Sequence, residues 1–146
     1  MALLLATLNV AAGATLTVPL YHATYAVRRN DLHIGDARFS LTREPNGTYD
    51  YQSVTQASGL VALFVGDIIT ETSYFAERDG HLFPLLYSYT HSGHGNDRGQ
   101  TIHFDWNRHT AESTDGDKHK SFPITPGVYD RALAQLALSV DMQAGR

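Results

Sequence analysis

The chain has 146 residues, of which 42% are apolar and 18% charged, so it is long enough for one folded domain and too apolar for wholesale disorder. Its net charge of −4 and pI near 6.0 argue against nucleic acid as the main partner, because binding phosphates requires a basic face. The absence of cysteine excludes disulfides, thiolate nucleophiles and cysteine metal sites.

The N-terminus is predicted to be the remnant of a signal peptide, followed by a single β-rich domain over residues 15–146. Residues 2–14 form an apolar run that ends in Ala12-Gly13-Ala14, the small-x-small pattern of a signal-peptidase site. The run is shorter than the roughly 20 residues of a membrane span, and no transmembrane span is expected elsewhere. The alternative is an apolar strand or helix that packs on the domain. Export predicts a periplasmic or otherwise extracytoplasmic location.

The middle of the chain has the two-residue period of half-buried strands. In residues 21–28, Tyr21, Ala23, Tyr25 and Val27 are predicted to share one face and to alternate with His22, Thr24 and Arg28 on the other. Asn30-Asp31 follows as a turn. The apolar positions then change parity across Gly35-Asp36, as a β-bulge would produce.

Further strands follow between strong turn signals. Residues 48–56, 68–75 and 82–91 read as strands, with Leu85, Tyr87 and Tyr89 predicted to share one face. The run at 59–66 fits a buried strand or a helical turn equally well. Beyond a glycine-rich loop, Ile102, Phe104 and Trp106 are predicted to face the core, and two short strands surround Asp115-Gly116.

The period changes to that of a helix over residues 129–142. Leu133, Leu136, Ala137 and Val140 fall at i, i+3, i+4 and i+7, which predicts one amphipathic helix, and Gly145 stands where a C-cap glycine would. The predicted fold is mainly β: an antiparallel meander forming a curved sheet or half-barrel, with one C-terminal amphipathic helix.

Several of these stretches resemble an uncharacterised family of exported proteobacterial proteins, catalogued as domain of unknown function 3108. The resemblance rests on YHATYAVRRNDLHIG at 21–35, the hairpin around Asp79-Gly80, IHFDW at 102–106 and DRALAQLALSVDMQAG at 130–145. It implies an envelope location and a β-rich fold and supplies no activity. It also implies C-terminal strands beyond the helix, which this chain lacks, so that a sheet edge would be left open.

Histidines and aromatic residues are the candidate site residues. His91, His94 and His103 fall close together in sequence and form a candidate metal site for a metal-assisted hydrolase, although exposed histidines are the simpler interpretation. No catalytic residue and no cofactor are predicted. The candidate ligand-binding residues are aromatic side chains within the predicted strands or at their ends, namely Tyr25, Tyr49, Tyr51, Tyr74, Tyr87, Tyr89 and Trp106.

The function that these observations favour is binding of a lipid or other amphiphile on a tyrosine-lined sheet face by an exported, non-catalytic cell-envelope protein. An ordinary tyrosine-rich core is the competing interpretation of the same residues. The alternative function is a protein-interaction or structural module, completed at its open sheet edge by a second copy or by a partner chain.

Overall fold

The computed structural model describes residues 19–143 apart from 65, 94 and 96, so the predicted leader and the predicted C-cap glycine lie outside the described residues. Eight strands form one antiparallel sheet in the order β1 to β8, which is the predicted meander. The sheet is not closed, because β1 pairs only with β2 and β8 only with β7 among the described residues. The strands are β1 (Tyr21–Arg29), β2 (Leu32–Arg43), β3 (Tyr49–Ala57), β4 (Ile68–Arg78), β5 (His81–Ser92), β6 (Arg98–Asp105), β7 (Thr110–Asp115) and β8 (Lys118–Pro123).

Tight turns fix the register of the hairpins. Asn30 and Asp31 both have positive φ, as do Asp79 and Gly80, which is the geometry of the two-residue turns that match the twist of paired strands. The run at 59–66 contains a five-residue 3-10 helix (Gly59–Leu63), which resolves the ambiguity of its apolar pattern.

The parity change near Gly35 is a β-bulge, as predicted. Val27 pairs with Gly35 while Arg28 pairs with His33, so Ile34 is the extra residue of β2. Only a glycine fits beside the bulge, since a Cβ at position 35 would lie 2.7 Å from the backbone oxygen of Gln56.

A second bulge in β5 was not indicated by the sequence pattern. Tyr74 pairs with Leu86 and Phe75 with Pro84, which leaves Leu85 as the extra residue. The prediction that Leu85 continues the row of Tyr87 and Tyr89 did not allow for this bulge, because one inserted residue changes the parity of the strand.

Helix α1 (Arg131–Gln143) packs across β3, β4 and β5 on one side of the sheet, which we call the helix face. Its apolar stripe matches the predicted i, i+3, i+4, i+7 spacing and closes the core. The core consists of strand and helix side chains that are buried together, namely Leu41, Tyr49, Tyr51, Phe75, Leu82, Tyr87, Ala132, Leu133, Leu136 and Val140. No helix among the described residues is both long and apolar enough to span a bilayer.

Candidate functional site

A row of side chains runs along the helix face from the edge strand inward. The register places Tyr21 beside Leu41, Leu41 beside Tyr51, Tyr51 beside Ser73, and Ser73 beside Tyr87. Alternation along each strand puts Tyr25, Tyr49 and Tyr89 on the same face. Five of the seven aromatic candidates therefore share one side of the sheet.

The helix covers three of these five tyrosines. Tyr49, Tyr51 and Tyr87 are buried in the core, and the ring of Tyr49 stacks on that of Phe75 at 5.3 Å. These side chains form the interior beneath α1, whereas Tyr25 stays 59% exposed. The aromatic face thus divides into a covered centre and an open margin at β1.

The other two aromatic candidates lie elsewhere. Tyr74 is on the opposite face, where its hydroxyl contacts Asn46 and Thr48. Trp106 lies in the turn after β6, donates a 2.7 Å hydrogen bond to the carbonyl oxygen of Pro84, and packs edge-to-face on Phe83. Neither residue adjoins the row on the helix face.

The open margin is a groove between β1 and the C-terminal half of α1. It has a volume of about 420 Å³, and apolar and hydroxyl-bearing side chains line it: Pro19, Tyr21, Tyr25, Leu136, Ser139 and Val140. The rings of Tyr25 and Phe39 pack edge to face with their centroids 5.8 Å apart, which holds the exposed Tyr25 ring at the mouth of the groove. The sequence does not indicate that Leu136, Ser139 and Val140 line a groove, because the position of the helix above β1 is not visible in the sequence.

The hydroxyls of Tyr21, which lines the groove, and of its neighbour Tyr51 stay uncharged at physiological pH. Burial raises the pKa of Tyr51, which donates a hydrogen bond to the hydroxyl of Tyr21. Burial also raises the pKa of Tyr21, and the hydrogen bond from Tyr51 only partly offsets that effect. The groove therefore combines an apolar surface with the neutral hydroxyl group of Tyr21, which suits an amphiphile.

A polar cluster anchors the helix at its other end. Glu71 Oε1 accepts hydrogen bonds from the Tyr87 hydroxyl at 2.7 Å and from Arg131 Nε at 2.6 Å, and the Arg131 guanidinium lies 4.9 Å from the centre of the Tyr89 ring. The hydrogen bond to Glu71 raises the pKa of Arg131, so the guanidinium stays charged throughout the physiological range. Tyr87 and Tyr89 thus support the helix that forms one wall of the groove.

The histidines do not come together among the described residues. His91 lies on the helix face, 3.0 Å from Asp67 Oδ2, whereas His103 pairs with Leu86 and lies on the opposite face. His94 is outside the described residues. Within the described part of the chain, no group of three or more histidine or acidic side chains is arranged to hold a metal ion.

The architecture defines a class of small β-rich proteins in which one helix covers an open antiparallel meander. A family model described as protein of unknown function (DUF3108) matches residues 21–145, and the chain belongs to this family. The family assignment drawn from the sequence is thereby confirmed. No curated protein and no solved structure matches the chain.

Proposed function

We propose that the domain binds a single-chain amphiphile in the groove between β1 and α1. The observation that carries this proposal is the groove itself, about 420 Å³ in volume, with Leu136 and Val140 on one wall and Tyr21 and Tyr25 on the other. Small-molecule sites are typically concave and mostly apolar, with a few placed polar groups, and measure about 300–1,000 Å³. A volume near the lower end of that range favours one acyl chain over a two-chain lipid.

The chemistry of the walls supports an amphiphile over a purely polar ligand. The helix contributes aliphatic side chains, and the hydroxyl of Ser139 is already donated to the carbonyl oxygen of Leu136 at 2.7 Å. The hydroxyls of Tyr21 and Tyr25 are then the polar groups that face a headgroup. Transfer of the ligand's apolar tail from water into the groove is favourable, and its polar headgroup keeps hydrogen-bonding partners at the mouth of the groove.

A helix-surface variant tests the groove directly. Ser139 is exposed on the groove side of α1, so S139W fills the groove without removing a core side chain. A dansyl-labelled fatty acid should bind the wild type with enhanced fluorescence and bind S139W at least about tenfold more weakly. The matched control is A134W, a substitution at another exposed helix position that does not line the groove.

Two results would count against the amphiphile. One is equal binding of the probe by S139W and the wild type; the other is equal weakening by A134W, which would indicate a general effect of tryptophan on the helix. Native mass spectrometry of the purified wild type provides an independent readout, because a co-purified ligand adds mass that S139W should lack.

A second candidate function is pairing of β1 with a second copy or a partner strand. The two sheet edges are unequally protected: β8 carries Lys118, Lys120 and Pro123, whereas β1 has no aspartate, glutamate, lysine or arginine before Arg28. Charges and proline on an edge strand discourage strand addition. Light scattering on the wild type and on T24K tests this candidate function. If β1 pairs with a second copy, the wild type should form an oligomer, and the lysine added in T24K should dissociate it. A wild type that stays monomeric at high concentration would exclude self-pairing.

The setting that we propose for this binding is the cell envelope. The support is the apolar run at 2–14 and its Ala12-Gly13-Ala14 ending, both outside the described residues. N-terminal sequencing of the protein recovered from an expressing bacterium tests export: a mature chain that begins at Thr15 supports it, and an intact Met1 in the cytoplasmic fraction contradicts it.

A further inference from the structure

One corner of the sheet exposes large apolar side chains at the tips of two neighbouring loops. Leu63 and Phe64, at the end of the 3-10 helix, are 73% and 78% exposed, and Leu32, next to the β1–β2 turn, is 57% exposed. Isolated exposed apolar residues are common on soluble proteins, but adjacent exposed residues of this size mark surfaces that contact a partner or a membrane.

The three side chains belong to one surface because the loops that carry them pack together. The 3-10 helix contacts β2, the Ser58 amide donates a 3.1 Å hydrogen bond to the carbonyl oxygen of Ile34, and Gly59 lies beside the carbonyl oxygen of His33. His33 directly follows Leu32. We call Leu32, Leu63 and Phe64, together with the two arginines described next, the apolar corner.

Two arginines border these side chains. Arg28 and Arg29 end β1, where Arg29 pairs directly with Leu32, and both are exposed. Within the described residues neither guanidinium has an ion-pair partner, and the intervening turn carries one carboxylate, that of Asp31. The corner therefore combines protruding apolar side chains with local positive charge, although the whole chain is acidic.

We infer that the apolar corner is a membrane-docking site for a bilayer that contains anionic lipid. Leucine and phenylalanine side chains insert at the boundary between headgroups and acyl chains, and arginines beside them contact the anionic headgroups. The charge complementarity favours a lipid surface over a second copy of this acidic chain. The inference does not depend on the groove, since none of the groove residues belongs to the corner.

Vesicle co-sedimentation of the full chain tests the inference. The vesicles consist of phosphatidylcholine with about 30% of the anionic lipid phosphatidylglycerol. On these vesicles L63S/F64S should bind at least about tenfold more weakly than the wild type. R28Q/R29Q should lose about fivefold per arginine on the same vesicles and nothing on phosphatidylcholine alone.

The controls remove comparable groups elsewhere. L138S removes an exposed leucine from α1, and R108Q removes an exposed arginine from the turn after β6, at the opposite end of the sheet; both should bind vesicles as the wild type does. Circular dichroism and thermal melting establish that the variants are folded. Unchanged vesicle binding by folded L63S/F64S overturns the inference, as does equal loss in L138S, or a wild-type dimer in solution that L63S/F64S dissociates.

Discussion

The hydroxyl of Ser73 donates a 2.6 Å hydrogen bond to Asp130 Oδ2, and both residues are buried where β4 meets the start of α1. The other carboxylate oxygen of Asp130 accepts a 2.8 Å hydrogen bond from the Leu133 amide, which makes Asp130 the N-cap of the helix. One side chain thus both starts the helix and fastens it to the sheet, which places the helix wall of the groove.

Replacing this N-cap should loosen the helix. D130A removes the cap and leaves the buried Ser73 hydroxyl without its acceptor, so we expect a loss of about 2–3 kcal/mol in the free energy of unfolding. D130N is the matched control, because asparagine caps as well as aspartate and its amide is able to hydrogen-bond Ser73; it should stay within about 0.5 kcal/mol at low pH. Urea denaturation measures both, and equal stability of the two variants would contradict the assigned role.

Asp130 also gives the protein a pH dependence of defined sign. Burial raises the pKa of Asp130, with the nearby Glu71 charge acting in the same direction, so the folded state holds this proton more tightly than the unfolded chain does. The stability that Asp130 contributes is then fully present below its ordinary pKa of about 3.9 and is lost as the pH rises through the raised value.

The variant D130N lacks this titration. We expect the free energy of unfolding of D130N to increase relative to that of the wild type between about pH 4 and about pH 7, since only the wild type must ionise a buried carboxyl. Urea denaturation of both proteins across that range checks the prediction. If the difference in free energy of unfolding between the two proteins stays constant, or if the wild type becomes more stable relative to D130N as the pH rises, the pKa of Asp130 is not raised.

The hydrogen bond between Tyr87 and Glu71 should contribute measurably to stability. Y87F removes the donor of the 2.7 Å bond to Glu71 Oε1 within the core, and we expect it to cost about 1–2 kcal/mol. R131Q removes the other donor, but the Arg131 side chain is largely exposed, so its cost should not exceed about 1 kcal/mol. A double-mutant cycle of Y87F with E71Q measures the coupling, and strictly additive effects would exclude a direct interaction.

Gly35 should resist substitution for a geometric reason. In G35A the new Cβ would meet the backbone oxygen of Gln56 at 2.7 Å, so the bulge or its partner strand must shift, at a cost of about 1–3 kcal/mol. The control is G99A in β6, where the nearest atom, the backbone oxygen of Tyr89, is at 3.5 Å. Thermal unfolding compares the two, and a G35A protein as stable as G99A would show that the bulge accommodates a methyl group.

The sequence predicts this sheet well because its signals are local. Alternation through Tyr21, Ala23 and Tyr25 and the turns at Asn30-Asp31 and Asp79-Gly80 depend on residues adjacent in the chain. The bulge at Leu85 escapes the pattern because leucines occupy both 85 and 86, so neither parity is disfavoured.

The candidate site depends on contacts between distant parts of the chain, which local signals do not encode. The apolar stripe of α1 predicts that the helix covers something, but not that it covers Tyr49, Tyr51 and Tyr87 and leaves Tyr25 exposed at the edge. The position of the N-cap is predictable from the sequence, because Asp130 stands immediately before the periodic apolar residues. The hydrogen bond that Asp130 accepts from Ser73, 57 residues earlier, is not predictable in this way.

The strict meander order has a consequence for how the protein folds. Every strand pairs with the strand next to it in the chain, so each pairing closes only a short loop and costs little loop-closure entropy. Among all-β topologies this arrangement keeps the contact order low, so we expect the hairpins to form rapidly, one after another. The helix reaches back to β3, β4 and β5 across a longer stretch of chain. Because closing that longer loop costs more entropy, we expect docking of the helix to follow hairpin formation and to complete the core.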